Sequence, residues 1–290
     1  MGFKLLQSYC QHHDIDEQEH LFPFLDLLVV SIAADIVPIV GENRVLAYFG
    51  LKQLNASPRI GLKALKDVAG FQGEMDISNV VFGLGPRINA AGRIKHAHDA
   101  VQLLLVDNHD DAFGFAAEIN KHNTDRRGYD TRMTQEALTM IEEDEWLRNA
   151  KTTVLFRPDW HKGVIGIVAS RCIEKYHRPT IILTQSDTKL AGSARSVPGF
   201  DLYDAIEACS DLLEQFGGHT FAAGLTLYEE NLTAFRQKFE AIVTERILPE
   251  QLSPLIEVDM KLPLRNITER FFNIINQMQP FGPSNMTPVF

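Results

Sequence analysis

The spacing of hydrophobic and polar positions along this chain changes near residue 150. Before it, apolar residues recur every three or four positions, the period of one helix face. Residues 3–12 predict a short amphipathic helix, and 21–34 a longer apolar one that stops near Pro38. Asn43 is placed to cap a helix over 44–54, RIGLKALKDVA (59–69) carries another, and Asp76 or Ser78 opens DISNVVFGL. GPRINAAGRIKH (85–96), glycine-rich and basic with no acid, reads as a structured loop or the start of a helix. Residues 109–144 hold no proline and only two glycines, and predict one long helix. It is apolar at Phe113, Ala116, Ile119, Met133, Ala137, Met140 and Ile141, but its middle, INKHNTDRRGYDTR, is polar. A polar mid-helix fits a solvent-bridging connector, and the domain boundary is placed there.

Beyond Asn149, short apolar runs alternate with amphipathic stretches. TTVLF (152–156), TIILT (180–184), LAGSARS (190–196) and FAAGLTL (221–227) predict strands. GVIGIVASRCIEKY (163–176), DLYDAIEACSDLLEQF (201–216, capped by Asp201) and LTAFRQKFEAIVTERI (232–247) predict helices. The alternation reads as a compact α/β domain. The tail predicts a strand (LIEVDMKL, 255–262), a helix (TERFFNIINQM, 268–278) and a β-like run, and reads as the first piece of a further domain.

Length and composition add limits. With 290 residues, 45% of them hydrophobic, the chain suits about two soluble domains that each bury a core. No apolar run is long enough to span a bilayer; the longest, Leu21–Ile36, is broken by Pro23, Asp26 and Asp35. The first residues turn polar too soon for a signal peptide. Cys10, Cys172 and Cys209 are far apart and outside any CxxC pair, which argues against a disulfide framework and for a reducing cytoplasm. A net charge of −10 argues against a nucleic-acid coat protein, yet residues 151–196 hold eight Lys/Arg against three Asp/Glu. That local excess of positive charge suits a polyanion at physiological salt.

The chain has no GxxxxGK[ST] loop, GxSxG elbow, HExxH or Rossmann glycine fingerprint, so common nucleotide-hydrolase and protease chemistries lack support. Asp35 follows an apolar helix and precedes a proline turn, a buried mouth where a carboxylate either ligates a divalent ion or bonds a nearby turn. The adjacent His12 and His13 of CQHHD diverge on a helix and read as a solvated helix end; DNHDD (107–111) reads as a helix N-terminus. GPRINAAGR presents Arg87 and Arg93 among small residues, a pattern that admits phosphate or simply packs helices. His161, Lys162 and Gly163 open a helix, where free N–H groups attract anions. GSARS adds Ser193, Arg195 and Ser196, and GGH adds a Gly217-Gly218 turn and His219. Each signal is weak alone; together they would converge on one phosphate.

In order, AADIVPIVGENRVLAYFGL, FGLGPRINAAGRI, WHKGVIGIVASR, RPTIILT, GSARSVPGFDLYDAI, GGHTFAAGLTL and PFGPSNMTPVF resemble the RecJ family of bacterial single-strand-specific DNA exonucleases, within the DHH phosphoesterase superfamily. The resemblance implies a 1–106 remnant of the DHH phosphoesterase domain, mostly helical, a connecting helix over 107–149, a DHH-associated α/β domain over 150–250 and the start of an OB-fold over 251–290. It implies a two-metal site for Mn2+ or Mg2+ that activates water, with Asp35 as the one metal ligand carried here; MGFKLLQ resembles the helix after the Asp-His-His motif. It implies DNA or phosphate contacts at Arg87, Arg93, His161, Ser193, Arg195, Ser196, Gly217, Gly218 and His219. The activity expected by resemblance is 5′-to-3′ exonucleolysis of single-stranded DNA in repair and recombination, with single-strand-binding protein and a helicase as partners.

One carboxylate cannot hold two metals, so this chain alone is expected to show little or no nuclease activity, and its first 80 residues to expose apolar surface. Two other readings stay open: a non-catalytic module that holds single-stranded DNA ends or a partner, and a small-nucleotide phosphodiesterase of the wider superfamily. GPRINAAGR and the OB-like tail argue against the second of these, because cleaving a dinucleotide needs no long DNA track.

Overall fold

The computed structural model describes residues 1–94 and 97–290; Lys95 and His96, which end GPRINAAGRIKH, lie outside the described residues. The chain forms two compact units, one of Met1–Thr124 with Glu257–Phe290 and the other of Asp125–Ile256.

The first unit is helical. Its elements are α1 (Gly2–His12), α2 (Glu17–His20), α3 (Leu25–Ala34), α4 (Gly41–Ala56), α5 (Ile60–Val68), α6 (Ile77–Asn79), α7 (Gly85–Ile94), α8 (His98–Leu105) and the start of α9 (His109–Glu143). A single π-helical turn, Val80–Leu84, joins α6 to α7. The apolar faces meet in one core of Val29, Ile32, Leu54, Leu62, Leu65, Leu84, Leu103 and, from α9, Ala112, Ala116 and Ile119. The expected helices form, with one correction at Asn43 and one of two alternatives taken at Asp76 and at GPRINAAGRI. Asn43 does not cap α4: the helix begins at Gly41, and the Asn43 amide donates to Pro38 O at 3.2 Å, bracing the preceding turn. Asp76 caps α6 through a reciprocal capping box with Asn79. GPRINAAGRI continues as helix α7.

Deep in this unit Asp26, 1% exposed, is held by Arg59. Its carboxylate accepts the Arg59 backbone N–H at 2.9 Å, Nη2 at 2.9 Å and Nε at 3.1 Å, together with the Leu27 N–H at 2.7 Å. The pair sets the entry of α5 against the start of α3. Apolar residues that face away from the core remain exposed: Leu5, Leu6, Tyr9, Ile36, Tyr48, Phe49 and Phe82. In the tail α14 (Glu269–Asn276) forms with Thr268 as its cap, but LIEVDMKL is not a strand. The Asp259 N–H reaches Val289 O at 2.9 Å, and among the described residues no ladder extends it, which a strand requires.

The second unit carries the rest of α9, α10 (Glu145–Asn149), β1 (Thr153–Phe156), α11 (Ile165–Tyr176), β2 (Thr180–Ser186), β3 (Lys189–Arg195), α12 (Leu202–Glu207), β4 (Gln215–His219), β5 (Ala222–Leu227) and α13 (Leu232–Arg246). The sheet order is β1-β2-β3-β5-β4; β1 and β2 are parallel, as a strand–helix–strand crossover requires, and the other pairs are antiparallel. Alternation assigns the faces. Ile181, Leu183, Leu190, Ala194, Ala223, Leu225 and Leu227 point to one side and pack with Phe235, Phe239 and Val243 of α13. Ile182, Ala191, Ser193 and Arg195 point to the other, over which α11 lies on β2 and β3. Arg178, 4% exposed, locks β1 to α10: Nε donates to Thr153 Oγ1 at 2.8 Å, Nη2 to Leu147 O at 2.7 Å, and Nη1 to Ala150 O.

The helix expected over 201–216 is shorter. Asp201 caps it as read, accepting the Asp204 N–H at 3.1 Å, but α12 ends at Glu207. Gln215–His219 instead pairs with β5, so Gly217-Gly218 is edge strand and not a turn. Two glycines are poor helix residues, and the open backbone groups of β5 take them up.

Asp26→Asn removes the charge that Arg59 needs while keeping the shape. A buried pair broken on one side costs about 3–5 kcal/mol; urea unfolding of D26N against wild type should show a loss of that order, and a change below about 0.5 kcal/mol, the level of a surface substitution, would show the pair to be dispensable.

Candidate functional site: a glycine-rich sheet face beside Arg195

The α11-side face of the sheet is covered unevenly. Over β2 and β3 it is roofed by α11; over β5 and β4 it is open, and Gly217, His219 and Gly224 are all exposed. Register sets two rows across three strands. Ser193 stands opposite Gly224, which stands opposite Gly217; Arg195 stands opposite Ala222, which stands opposite His219. Opposed residues share a face, so Ser193, Arg195 and His219 border a patch whose middle has almost no side chains. A Cβ at Gly217 would meet nothing within 4 Å. Gly218 differs: its φ of 154° and the approach of Ala222 O, 2.3 Å from where a Cβ would sit, admit only glycine and hold β4 close to β5.

Ser193 and Arg195 act as a pair. Arg195 Nη1 donates to Ser193 Oγ at 3.0 Å and to Ala194 O at 2.8 Å. Because Ser193 Oγ accepts from the guanidinium, its own hydroxyl hydrogen is left to donate elsewhere. A guanidinium fork beside a hydroxyl donor matches phosphate oxygens. The seat is made by Gly166 on α11: a Cβ there would lie 2.8 Å from both Arg195 Nη2 and Ser193 Oγ. On the far border, His219 Nδ1 accepts the Phe221 N–H at 3.3 Å, so a neutral ring carries its hydrogen on Nε2.

Other expected contacts are placed differently. His161 is half-buried, takes the Gly163 N–H on Nδ1 at 3.1 Å and lies against the Tyr129 ring at 5.0 Å. The start of α11 is no vacant anion hole, because Val164 and Ile165 N–H reach His161 O and Ile167 N–H reaches Val164 O. Ser196 is a loop tie: its hydroxyl donates to Phe200 O at 2.8 Å and its N–H to Phe221 O at 3.0 Å. In the first unit, Arg87 braces α7 to α9, with Nε on Asn120 Oδ1 at 2.8 Å and Nη1 on Gly83 O at 2.7 Å. Arg93 is exposed in the last turn of α7.

The positive excess of residues 151–196 is largely answered by folding. Arg171 pairs with Glu174, Lys175 with Glu142, Lys189 with Glu214, and Arg157 with Asp159 and Glu136. Glu136, Glu142 and Glu214 come from outside the run, so the sequence sum overstates the local field. Burial lowers the Arg178 pKa. It also pushes the Cys172 thiol up to about 12 and Cys209 to about 11, so neither is a nucleophile near neutral pH.

Asp35 is not in a buried mouth. It is exposed at the C-cap of α3, where its N–H bonds Ser31 O at 3.1 Å. Among the described residues no three His, Cys, Asp or Glu side chains come together as metal ligands. The donors present therefore do not fit a two-metal centre, and no catalytic step is derived through one.

Residues 149–245 match the DHHA1 domain family and 258–290 the RecJ OB domain family. The single-stranded-DNA-specific exonuclease RecJ of Bacillus subtilis is 38% identical over 91% of this chain and 34% of its own length. Its namesake in Escherichia coli is 36% identical over 93% of this chain and 48% of its own length. The crystal structure of RecJ from Thermus thermophilus in complex with Mg2+ superposes with a TM-score of 0.88 at 31% identity, over 99% of this chain and 44% of that one. The chain belongs to the RecJ family. It spans about a third to a half of the length of these relatives. The family is one of single-strand-specific exonucleases, and the mixed α/β fold with a helical N-terminal part agrees with the expectation from sequence.

Sequence reading named Ser193, Arg195 and His219 but missed Gly166 and Gly224, which seat and expose them. The period-two pairing of LAGSARS with FAAGLTL was the available signal. Gly166→Ala should leave the fold intact, because the Cβ meets the flexible end of Arg195 and the rotatable Ser193 hydroxyl, yet displace that guanidinium. Charge-assisted hydrogen bonds contribute about 1.5–3 kcal/mol, so binding of a 5′-phosphorylated oligonucleotide should weaken roughly ten- to a hundredfold, approaching Arg195→Ala, with an unchanged circular dichroism spectrum.

Proposed function

We propose that this chain is the strand-holding part of a single-stranded-DNA exonuclease that removes nucleotides from a 5′ end. The Ser193–Arg195 pair at the border of the open glycine face carries the reading: it offers a charged fork and a hydroxyl to a terminal phosphate, with bare backbone beside it for the strand. Family membership supports the substrate class, and Arg93, His219, Gly217 and Gly218 are proposed as further contacts. Repair and recombination, a cytoplasmic setting, a divalent ion of the Mg2+ or Mn2+ type, and single-strand-binding protein and a helicase as partners extend the reading by family resemblance. For Asp35, the proposal is one ligand of a metal site whose other ligands are not brought together among the described residues.

The non-catalytic module is the second reading, favoured because no cluster of metal ligands forms among the described residues. Both predict binding without cleavage by this chain. Affinity for a 5′-phosphorylated oligonucleotide should fall as salt rises and exceed that for the 5′-hydroxyl form, and Arg195→Ala should abolish the difference. Salt-independent binding, or equal affinity for both ends, would remove the phosphate assignment. With Mn2+ or Mg2+ added, the chain should release no mononucleotides in excess of an Asp35→Ala control; release that depends on Asp35 would overturn its inactivity.

A further inference from the structure

Phe221 is a large apolar side chain, 57% exposed, at the tip of the β4–β5 hairpin. Isolated exposed apolar residues are ordinary, but the backbone that carries this one is tied on both sides. Its N–H donates to His219 Nδ1 at 3.3 Å and its carbonyl accepts the Ser196 N–H at 3.0 Å. The preceding residue is tied as well: Thr220 O accepts the Leu202 N–H at 3.1 Å, and Thr220 Oγ1 donates to Asp201 Oδ2 at 3.4 Å. The hairpin tip is therefore anchored to the end of β3 and to the cap of α12. The Phe221 and His219 rings meet edge to face, with centroids 6.2 Å apart and planes at 66°, and form a corner.

That corner borders the face that carries Arg195. His219 lies in the same row as Arg195 with Ala222 between them, which is two strand spacings, roughly 10 Å. Only the methyl of Ala222 stands between them, and Gly224 and Gly217 of the neighbouring row offer no side chain to obstruct a ligand. With the hairpin backbone tied, the aromatic residue about one nucleotide's reach from a phosphate fork has little backbone ordering entropy left to lose on binding. A nucleobase fits this position because stacking on an aromatic ring tolerates any base.

We propose that Phe221 is a base-stacking position, where the ring receives a nucleobase of the strand whose phosphate lies at Arg195. This rests on the strand-holding reading above. Phe221 makes the site favour a 5′ end that carries bases over a bare sugar-phosphate backbone.

The test uses the full chain and two 5′-phosphorylated oligonucleotides, one intact and one with abasic sugars in its first few positions. Stacking on an aromatic side chain contributes about 1–3 kcal/mol per base, so Phe221→Ala should weaken binding of the intact strand about five- to a hundredfold. It should leave the abasic strand within about twofold, near the noise expected of such measurements, and Phe221→Trp should restore the intact strand. If F221A matches wild type on the intact strand, or weakens both strands alike, the stacking position is withdrawn. In that outcome the strand-holding reading survives if Arg195→Ala still removes the 5′-phosphate preference. If the wild-type chain binds neither strand, the strand-holding reading and the stacking position fail together.

Discussion

The close approach of α11 to β3 is the contact on which the candidate site depends. Strand alternation puts Ser193 and Arg195 on the face opposite the α13-side core. There they would collide with any helix that carried side chains at that point; Gly166 removes the obstacle and turns the collision into a seat. One residue without a Cβ thus lets a helix roof half of the sheet while a half-buried guanidinium keeps its hydrogen bonds. Because α11 stops over β3, the β5 and β4 half of the same face stays open.

The two units solve burial differently. The helical unit relies on apolar stripes and on one buried ion pair, Asp26 with Arg59, whose carboxylate oxygens are satisfied by backbone as well as guanidinium donors. Such a pair fixes one arrangement more than it adds net stability, since desolvation offsets much of the attraction. The sheet unit uses Arg178 in a related way: its charge is buried but its donors end on the carbonyls of α10 and its flank and on the Thr153 hydroxyl. The candidate face uses neither device, since Ser193, Arg195 and His219 are only partly buried or exposed.

Most of the helices and strands were legible in the sequence, because each had a clear period. The failures have a common form. Residues 208–216 followed a helical pattern and Gly217-Gly218 read as a turn, but the unpaired edge of β5 took Gln215–His219 as a strand, and pairing partners are not visible in local periodicity. LIEVDMKL has strand composition without a strand's ladder. Asn43 has a cap residue's chemistry at a position where the chain had already turned into helix, two residues after Gly41. The local charge excess of 151–196 was a true sum with the wrong meaning, because its partners Glu136, Glu142 and Glu214 lie outside the window.

The sequence by itself determined the kind of fold, the long polar-centred connecting helix, the family, and the residue types at the candidate site. It did so because hydrophobic period and ordered motifs are properties of the linear chain. Only the tertiary structure decided which of those residues act together. Ser193 and Arg195 share a face with His219 through strand register; Ser196 and Arg87 are spent on internal ties; Asp35 stands exposed, and the described residues do not bring it the companions a metal centre needs. Register, close approach and hydrogen-bond partners arise between segments distant in the chain, and no local pattern encodes them.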